Sequence, residues 1–152
     1  MRAYTARMRA TLRSTLELST DEAKRLIAEV KALGAPVFVL TGNDPLKRPD
    51  IFELVEYAST RSLRISLTPS ATPLLTKQAI RQLKQSGLAR LAISRDGPTA
   101  DVRDAFRRVA GSYDWALSAV RWAGEIDLPL QINTTITRHN LEHLGSLIAL
   151  LE

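Results

Sequence analysis

The 152-residue sequence contains no cysteine. Disulfides, zinc sites with thiolate ligands, thiol nucleophiles and clusters held by cysteine thiolates are therefore excluded for the chain as written. No apolar run reaches the roughly 20 residues that a helix needs to cross a bilayer, and aromatic residues make up only 5% of the chain. We expect a cytoplasmic protein that has no membrane partner.

Positive charge is in moderate excess, with 21 Lys and Arg against 16 Asp and Glu. The excess is spread along the chain, so it favours an anionic partner without identifying one. Residues 1–16 hold four arginines and no acid, a composition shared by transit peptides, nucleic-acid-binding arms and poorly ordered leaders. We expect a basic leader over residues 1–17. Nucleic acid is not a favoured partner, because Tyr4 is the only aromatic residue there that could stack on a base.

Helical periodicity begins near Leu18 and alternates with short apolar runs along the rest of the chain. The predicted helix starts are Ser19 or Thr20, Asp50, Thr76, Ser112 and Asn140, with Ser112 and Asn140 expected to cap the last two helices. The predicted strands are 37–40, 63–67, 90–94 and 130–134. Strands that alternate with helices at this spacing predict an α/β fold with one parallel sheet.

The first predicted strand runs directly into Thr41-Gly42-Asn43-Asp44-Pro45. An apolar run that ends in such a turn is typical of a buried parallel strand at its carboxyl end, where α/β folds place their ligands. Gly42 allows the backbone to approach a ligand closely, and Asp44 supplies a carboxylate for an ammonium group. A tight βα turn without a ligand is the competing interpretation.

Short polar residues follow all four predicted strands: Gly42, Asn43 and Asp44; Thr68 and Ser70; Ser94 and Asp96; Asn133 and Thr135. At one edge of a parallel sheet they would form a site for a polar small molecule, although such residues also suit βα loops and helix caps. The interpretation as loop and cap residues explains Asn133 less well, because Asn133 lies inside an otherwise apolar strand. His139 and His143 are expected to be surface or cap residues, since no third metal ligand accompanies them.

Four segments, 18–27, 38–58, 91–98 and 132–141, together resemble the radical S-adenosylmethionine (radical SAM) superfamily, in the branch of SPASM-type enzymes that modify peptides or mature cofactors. The resemblance covers residues 18–152. It implies a partial parallel (β/α) barrel, with about four βα units of a TIM-like barrel, and S-adenosylmethionine as the cofactor.

The resemblance also implies site residues. Gly42 to Pro45 stand where the family has Gly-Gly-Glu-Pro or Gly-Gly-Asp-Pro, whose backbone carbonyls receive the amino group of the cofactor. Ser94 and Asp96 match a Ser-Leu-Asp-Gly pattern beside the cofactor's carboxylate or ribose, with Arg95 in place of the apolar residue. The candidate cofactor-binding residues are Thr41, Gly42, Asn43, Asp44, Pro45, Ser70, Ser94, Asp96 and Asn133.

Members of the family hold a [4Fe-4S] cluster with a Cys-x3-Cys-x2-Cys loop, which this sequence lacks. We therefore expect a truncated or degenerate iron–sulfur oxidoreductase that keeps part of the S-adenosylmethionine edge and is inactive alone. A second chain that covers the open barrel edges is one extension of this hypothesis. The alternatives are a non-catalytic module that binds a nucleotide or phosphate, and an interaction module whose basic surface meets an acidic partner.

Overall fold

The computed structural model describes residues 17–150, so the predicted leader lies almost entirely outside the described part of the chain. The strands are β1 (Phe38–Leu40), β2 (Ile65–Leu67), β3 (Arg90–Ser94) and β4 (Leu130–Asn133). They form one parallel sheet in the order β1-β2-β3-β4. The predicted α/β fold is confirmed, because every described strand pairs in parallel with its neighbour in sequence.

The α-helices are α1 (Thr20–Ala32), α2 (Ile51–Thr60), α3 (Lys77–Gln85), α4 (Ala100–Arg107), α5 (Ser112–Glu125) and α6 (Leu144–Ala149), and 3-10 helices lie at Pro45–Lys47 and Leu141–His143. The predicted caps of α1 and α3 are confirmed. The Glu22 carboxylate accepts a hydrogen bond from Ser19 N at 2.8 Å while Ser19 Oγ accepts one from Glu22 N, and Thr76 caps α3. Within residues 17–150 no helix is long and apolar enough to span a membrane.

Two predicted helix caps are wrong. Helix α5 is capped by Gly111, whose φ is 79°, and Ser112 is the first residue of the helix. The Ser112 hydroxyl instead donates to Asp104 Oδ1 at 2.8 Å, so a carboxylate from α4 serves the start of α5. Asn140 makes no side-chain cap bond to the turn that follows it. Its side chain is used between two loops, as described below.

Helix α4 does not appear among the predicted helices. Its one buried residue is Arg103, whereas sequence patterns identify a helix by an apolar stripe on its buried face. Because a cation occupies the position that faces the core, the amphipathic pattern of α4 is hidden in the sequence.

The two faces of the sheet differ in character. One face packs against the helices in a single hydrophobic core, to which the strands contribute Phe38, Leu40, Ile65, Leu67, Leu91, Ile93, Leu130 and Ile132. The alternating positions lie on the opposite, open face. They are mostly polar or small: Ser66, Arg90, Ala92, Ser94, Gln131 and Asn133.

Strand β1 is not buried on both sides, which corrects the expectation for residues 37–40. Val39 is 48% exposed and Val37 is 44% exposed. The reason is topological, because β1 is one of the two edge strands of the described sheet and, among the described residues, only one face of the sheet is covered by helices. Phe38 and Leu40 on the other face do pack against the core.

Candidate functional site

The turn after β1 combines an exposed backbone with one buried carboxylate. Thr41, Gly42 and Asn43 are exposed, and Gly42 has a φ of +130°, which side-chain-bearing residues rarely adopt. A Cβ built at Gly42 would meet no atom within 4 Å, so open space lies beside this glycine. Asp44 is buried, and its Oδ1 accepts a hydrogen bond from Leu46 N at 3.2 Å, at the start of the 3-10 helix that Pro45 opens.

The loop after β2 is hydrogen-bonded to that turn. Ser70 Oγ donates to the backbone carbonyl of Asn43, and Thr72 Oγ1 donates to Asp44 Oδ2 at 3.0 Å. The structure therefore brings Ser70 together with Asn43 and Asp44, as expected for one edge of the sheet. Thr72 was not among the predicted site residues, although it belongs to the same hydroxyl-rich loop. The Asn43 carbonyl keeps one lone pair for a further donor.

Ser94 and Asn133 lie opposite each other where β3 and β4 end. A chain of side-chain hydrogen bonds runs to this point along the open face of the sheet. Arg90 Nη1 donates to Gln131 Oε1 at 3.0 Å, and Gln131 Nε2 donates to Asn133 Oδ1 at 2.7 Å.

This chain of hydrogen bonds fixes the orientation of two amides. A guanidinium can only donate, so Gln131 must present its oxygen to Arg90 and its nitrogen to Asn133. Asn133 then accepts with Oδ1, and its Nδ2 remains as a donor at the strand end. The edge of the sheet therefore offers a backbone acceptor at Asn43 and a side-chain donor at Asn133.

Asp96 is fully buried, and both of its carboxylate oxygens are bonded within the protein. Oδ1 accepts from Thr135 N at 2.9 Å, and Oδ2 accepts from Arg107 Nε at 2.6 Å. The carboxylate thereby joins the loop after β3 to the loop after β4 and to the last turn of α4. Asp96 lies at the predicted edge of the sheet, but its side chain is buried below the protein surface there.

Asn140 connects the same two loops. Its Nδ2 donates to the carbonyl oxygens of Asp96, at 2.9 Å, and of Thr135, at 2.8 Å. Its Oδ1 accepts from Thr137 N at 2.7 Å. The sequence predicts a helix cap at Asn140, because a bond that spans 44 residues of chain leaves no local pattern.

Two buried arginines support the end of β3. Arg103 is 2% exposed; its Nη2 donates to the Ser94 carbonyl at 2.7 Å and its Nη1 donates to that of Ser112. Burial lowers the pKa of Arg103, an effect that Asp96 partly opposes. Arg95 is also buried and donates to Tyr113 Oη at 2.9 Å. The sequence offered a signal for Arg95 alone, which stands where the resembled family pattern has an apolar residue; Arg103 lies in a helix that the sequence does not predict.

Asp104 receives three hydrogen bonds at the start of α5. The donors are Gly111 N at 2.6 Å, Ser112 Oγ at 2.8 Å and Tyr113 N at 2.9 Å. Burial alone would raise the pKa of Asp104, but the bonds from Ser112, Tyr113 and Gly111 outweigh it and hold this pKa below its ordinary value. The Asp104 carboxylate thus holds the start of α5 beside the loop that carries Asp96.

Comparison with known proteins decides the family. A sequence profile of the Radical SAM superfamily matches residues 5–151, nearly the whole chain. The chain belongs to the radical SAM superfamily. An AdoMet-dependent heme synthase of Methanosarcina barkeri is 41% identical over 84% of this chain and 36% of that protein. A PqqA peptide cyclase of Rhodopseudomonas palustris is 37% identical over 91% of this chain and 36% of that protein.

A solved structure supports the fold of this radical SAM chain. A domain of pyruvate-formate lyase-activating enzyme from Bacteroides vulgatus superposes with a TM-score of 0.57 at 17% identity, over 74% of this chain and 71% of that domain. The predicted family and the barrel-like architecture are confirmed. The chain spans about a third of the length of the curated relatives that it matches.

The radical SAM family uses S-adenosylmethionine together with a [4Fe-4S] cluster, and this chain fits only the first of the two. The cluster requires thiolates, and no cysteine occurs at any of the 152 positions. Within residues 17–150 there is also no group of three His, Asp or Glu that could hold a metal ion. The open space beside Gly42 and the Asn43 carbonyl suit the amino group of a ligand, and the Asn133 amide, three strands away, suits a second polar group at the far end of an extended ligand.

Proposed function

We propose that this radical SAM domain binds S-adenosylmethionine at the carboxyl edge of its sheet, without generating a radical by itself. The observation that carries the proposal is the pairing of opposite hydrogen-bonding groups at one edge. The turn after β1 presents carbonyl oxygens, which suit the ammonium group of an amino acid, and Asn133, three strands away in the sheet, presents an amide donor, which suits a polar group toward the other end of the cofactor. When a reduced cluster is also present, S-adenosylmethionine supplies radical chemistry in this family.

The nine candidate residues divide into two roles under this proposal. Thr41, Gly42, Asn43, Ser94 and Asn133 line the strand ends and are proposed to contact the cofactor. Asp44, Pro45, Ser70 and Asp96 are proposed to position them, because their side chains are bonded between loops or open the 3-10 helix.

The test is anaerobic calorimetric titration of the 152-residue chain with S-adenosylmethionine, repeated on Gly42→Ala and Gly34→Ala. The two glycines form a matched pair: both have positive φ, of 130° and 75°, and at neither would a Cβ meet an atom within 4 Å. Only Gly42 lies at the strand ends, because Gly34 follows α1. We expect binding that Gly42→Ala abolishes and Gly34→Ala leaves intact.

Three other results would contradict the proposal. If a folded sample gives no heat on titration with S-adenosylmethionine, the chain keeps the fold of the family but does not bind its cofactor. Equal loss in both glycine variants would indicate backbone strain instead of a site. Saturable ATP binding that S-adenosylmethionine does not displace would favour the alternative, a nucleotide- or phosphate-binding module.

We also propose tetrapyrrole chemistry for the protein to which this domain contributes, because relatives named AdoMet-dependent heme synthase are 40–41% identical to it. The cysteine ligands of a working cluster would have to come from outside the 152 residues, either from a longer chain or from a second chain that covers the open edge at β1. Sedimentation analysis tests the second chain, and cell fractionation tests the proposed cytoplasmic location.

A further inference from the structure

The chain of hydrogen bonds on the open face of the sheet has a direction. Arg90 Nη1 donates to Gln131 Oε1 at 3.0 Å, and Gln131 Nε2 donates to Asn133 Oδ1 at 2.7 Å. In both bonds the donor belongs to the residue that lies farther from the carboxyl edge. Among the described residues Asn133 Nδ2 has no acceptor, so the chain of bonds ends in a free donor at this edge.

The register of β3 and β4 holds the three side chains in line. Gln131 lies beside Ala92, and Asn133 lies beside Ser94. Positions two apart on a strand face the same way, about 6.6 Å from each other. Arg90 begins β3, about 13 Å from Ser94, which ends it. Two side chains therefore connect Arg90 to the far end of the strand.

Arg90 sets the direction of these bonds. An amide carries both a donor and an acceptor and exchanges them when it rotates by 180°, whereas a guanidinium carries donors only. With Arg90 in place, one orientation of Gln131 and Asn133 satisfies both bonds. With an acceptor in its place, the opposite orientation would satisfy both, and Asn133 would present its oxygen at the carboxyl edge.

We propose that Arg90 and Gln131 are positioning residues, which orient the Asn133 amide so that the carboxyl edge selects a ligand atom that accepts a hydrogen bond there. This inference deepens the proposed function and rests on it for the identity of the ligand, S-adenosylmethionine. The orientation of the two amides itself needs no ligand. Neither positioning residue contacts the cofactor, because both act through Asn133.

Substitutions at Arg90 test the direction of the bonds. In Arg90→Glu an ionised carboxylate, which only accepts, replaces a group that only donates, so both amides should rotate. Arg90→Lys keeps a donor and should keep the wild-type orientation. The double variant Arg90→Glu/Gln131→Lys should recover the wild-type orientation of Asn133, because it places an ammonium group, which only donates, between the new carboxylate and Asn133.

Arg64→Glu is the matched control variant. Arg64 and Arg90 line the same shallow depression at the opposite end of the sheet, and both side chains are exposed. Within residues 17–150 the Arg64 guanidinium makes no hydrogen bond. Arg64→Glu therefore makes the same change of charge as Arg90→Glu without altering the bonds to Gln131. Thermal unfolding of each variant confirms that it is folded.

The first readout is the exchange of side-chain amide protons with water, followed by NMR on the isotopically labelled 152-residue chain without S-adenosylmethionine. Asn133→Asp identifies the signal of the Asn133 amide by removing it. Hydrogen-bonded protons exchange more slowly than free ones. In Arg90→Glu, where Asn133 Nδ2 should donate to Gln131, we expect exchange at Asn133 to slow about fivefold. Arg90→Lys, the double variant and Arg64→Glu should stay within about twofold of the wild type.

The second readout is calorimetric titration of the same variants with S-adenosylmethionine. Arg90→Glu should weaken binding about tenfold, because the amide oxygen of Asn133 would face an acceptor atom of the cofactor. Arg90→Lys, the double variant and Arg64→Glu should bind within about twofold of the wild type. A merely structural role of Arg90 would not be recovered by a second substitution in a chain that still lacks this arginine.

Equal exchange at Asn133 in the wild type and Arg90→Glu would overturn the inference. The same slowing in Arg64→Glu would also overturn it, because a general effect of charge would then explain the result. Slower exchange in Arg90→Glu with unchanged affinity for S-adenosylmethionine would refute the role of this orientation in binding. If the wild type gives no heat, the proposed function fails, and with it the ligand assigned to Asn133, whereas the exchange measurement still decides whether Arg90 orients the amide.

Discussion

Replacing Asn140 by alanine tests the hydrogen bonds that join the loops after β3 and β4. The substitution removes side-chain bonds to the carbonyls of Asp96 and Thr135 and from the amide of Thr137, at 2.9, 2.8 and 2.7 Å. A net value of about 1 kcal/mol for each gives a loss of about 3 kcal/mol in the free energy of unfolding. Part of this cost arises because the Asp96 carbonyl, which Asn140 reaches inside the protein, is left without its donor.

Urea unfolding followed by circular dichroism measures this loss. With a slope of roughly 2 kcal/mol/M, the midpoint should fall by about 1.5 M. Asn140→Asp should cost at least as much, because a carboxylate would face two carbonyl oxygens. His139→Ala, at an exposed neighbouring position, is the control and should leave the midpoint unchanged. A shift below about 0.5 M for Asn140→Ala, or a stable Asn140→Asp variant, would refute the assignment of these bonds.

Two further predictions concern buried charge. Arg95→Leu should raise the free energy of unfolding by about 1 kcal/mol, seen as a melting temperature roughly 2–4 °C higher. The reason is that Arg95 Nε is buried without a hydrogen-bond partner among the described residues. A lower melting temperature would show that the contacts of Arg95 with Tyr113 outweigh the cost of desolvating its guanidinium. The pKa of Asp104 is lowered in the folded state. The stability that the Asp104 carboxylate provides is therefore present above its pKa in the unfolded chain, and it is lost as the pH falls through its pKa in the folded protein. Stability should therefore decline below about pH 4 less steeply in Asp104→Asn than in the wild type; parallel pH profiles would contradict this reasoning.

The elements that the sequence predicts well are those whose signal is local. Ser19 with Glu22 and Thr76 with Ala79 are caps within one turn of helix, and both are found as expected. Helix α4 was missed because Arg103 occupies its buried position. The pattern rule looks for apolar residues there, and it cannot anticipate that backbone carbonyls elsewhere in the fold will satisfy a guanidinium.

The candidate site divides in the same way. That Asn43, Ser70 and Asn133 share one edge follows from a parallel sheet alone, since the carboxyl ends of its strands meet there. The side chains that hold this edge together were not predictable by such a rule. Thr72 bonds to Asp44 across 28 residues, and Asn140 bonds to Asp96 across 44 residues. Both partners are ordinary loop residues until the fold brings them together.

The edge of the sheet consists of two separately joined pairs of loops. Ser70 and Thr72 join the loops after β1 and β2, whereas Asp96 and Asn140 join those after β3 and β4. Within residues 17–150 no side-chain hydrogen bond crosses from one pair to the other, so the sheet and the helices packed on it set their spacing. A ligand that uses the acceptors of the first pair and the Asn133 donor beside the second would bridge them. A ligand that binds only the folded state stabilises it by an amount set by its affinity and concentration, so a ligand that contacts both pairs should stabilise the fold more than a weaker one that contacts a single pair.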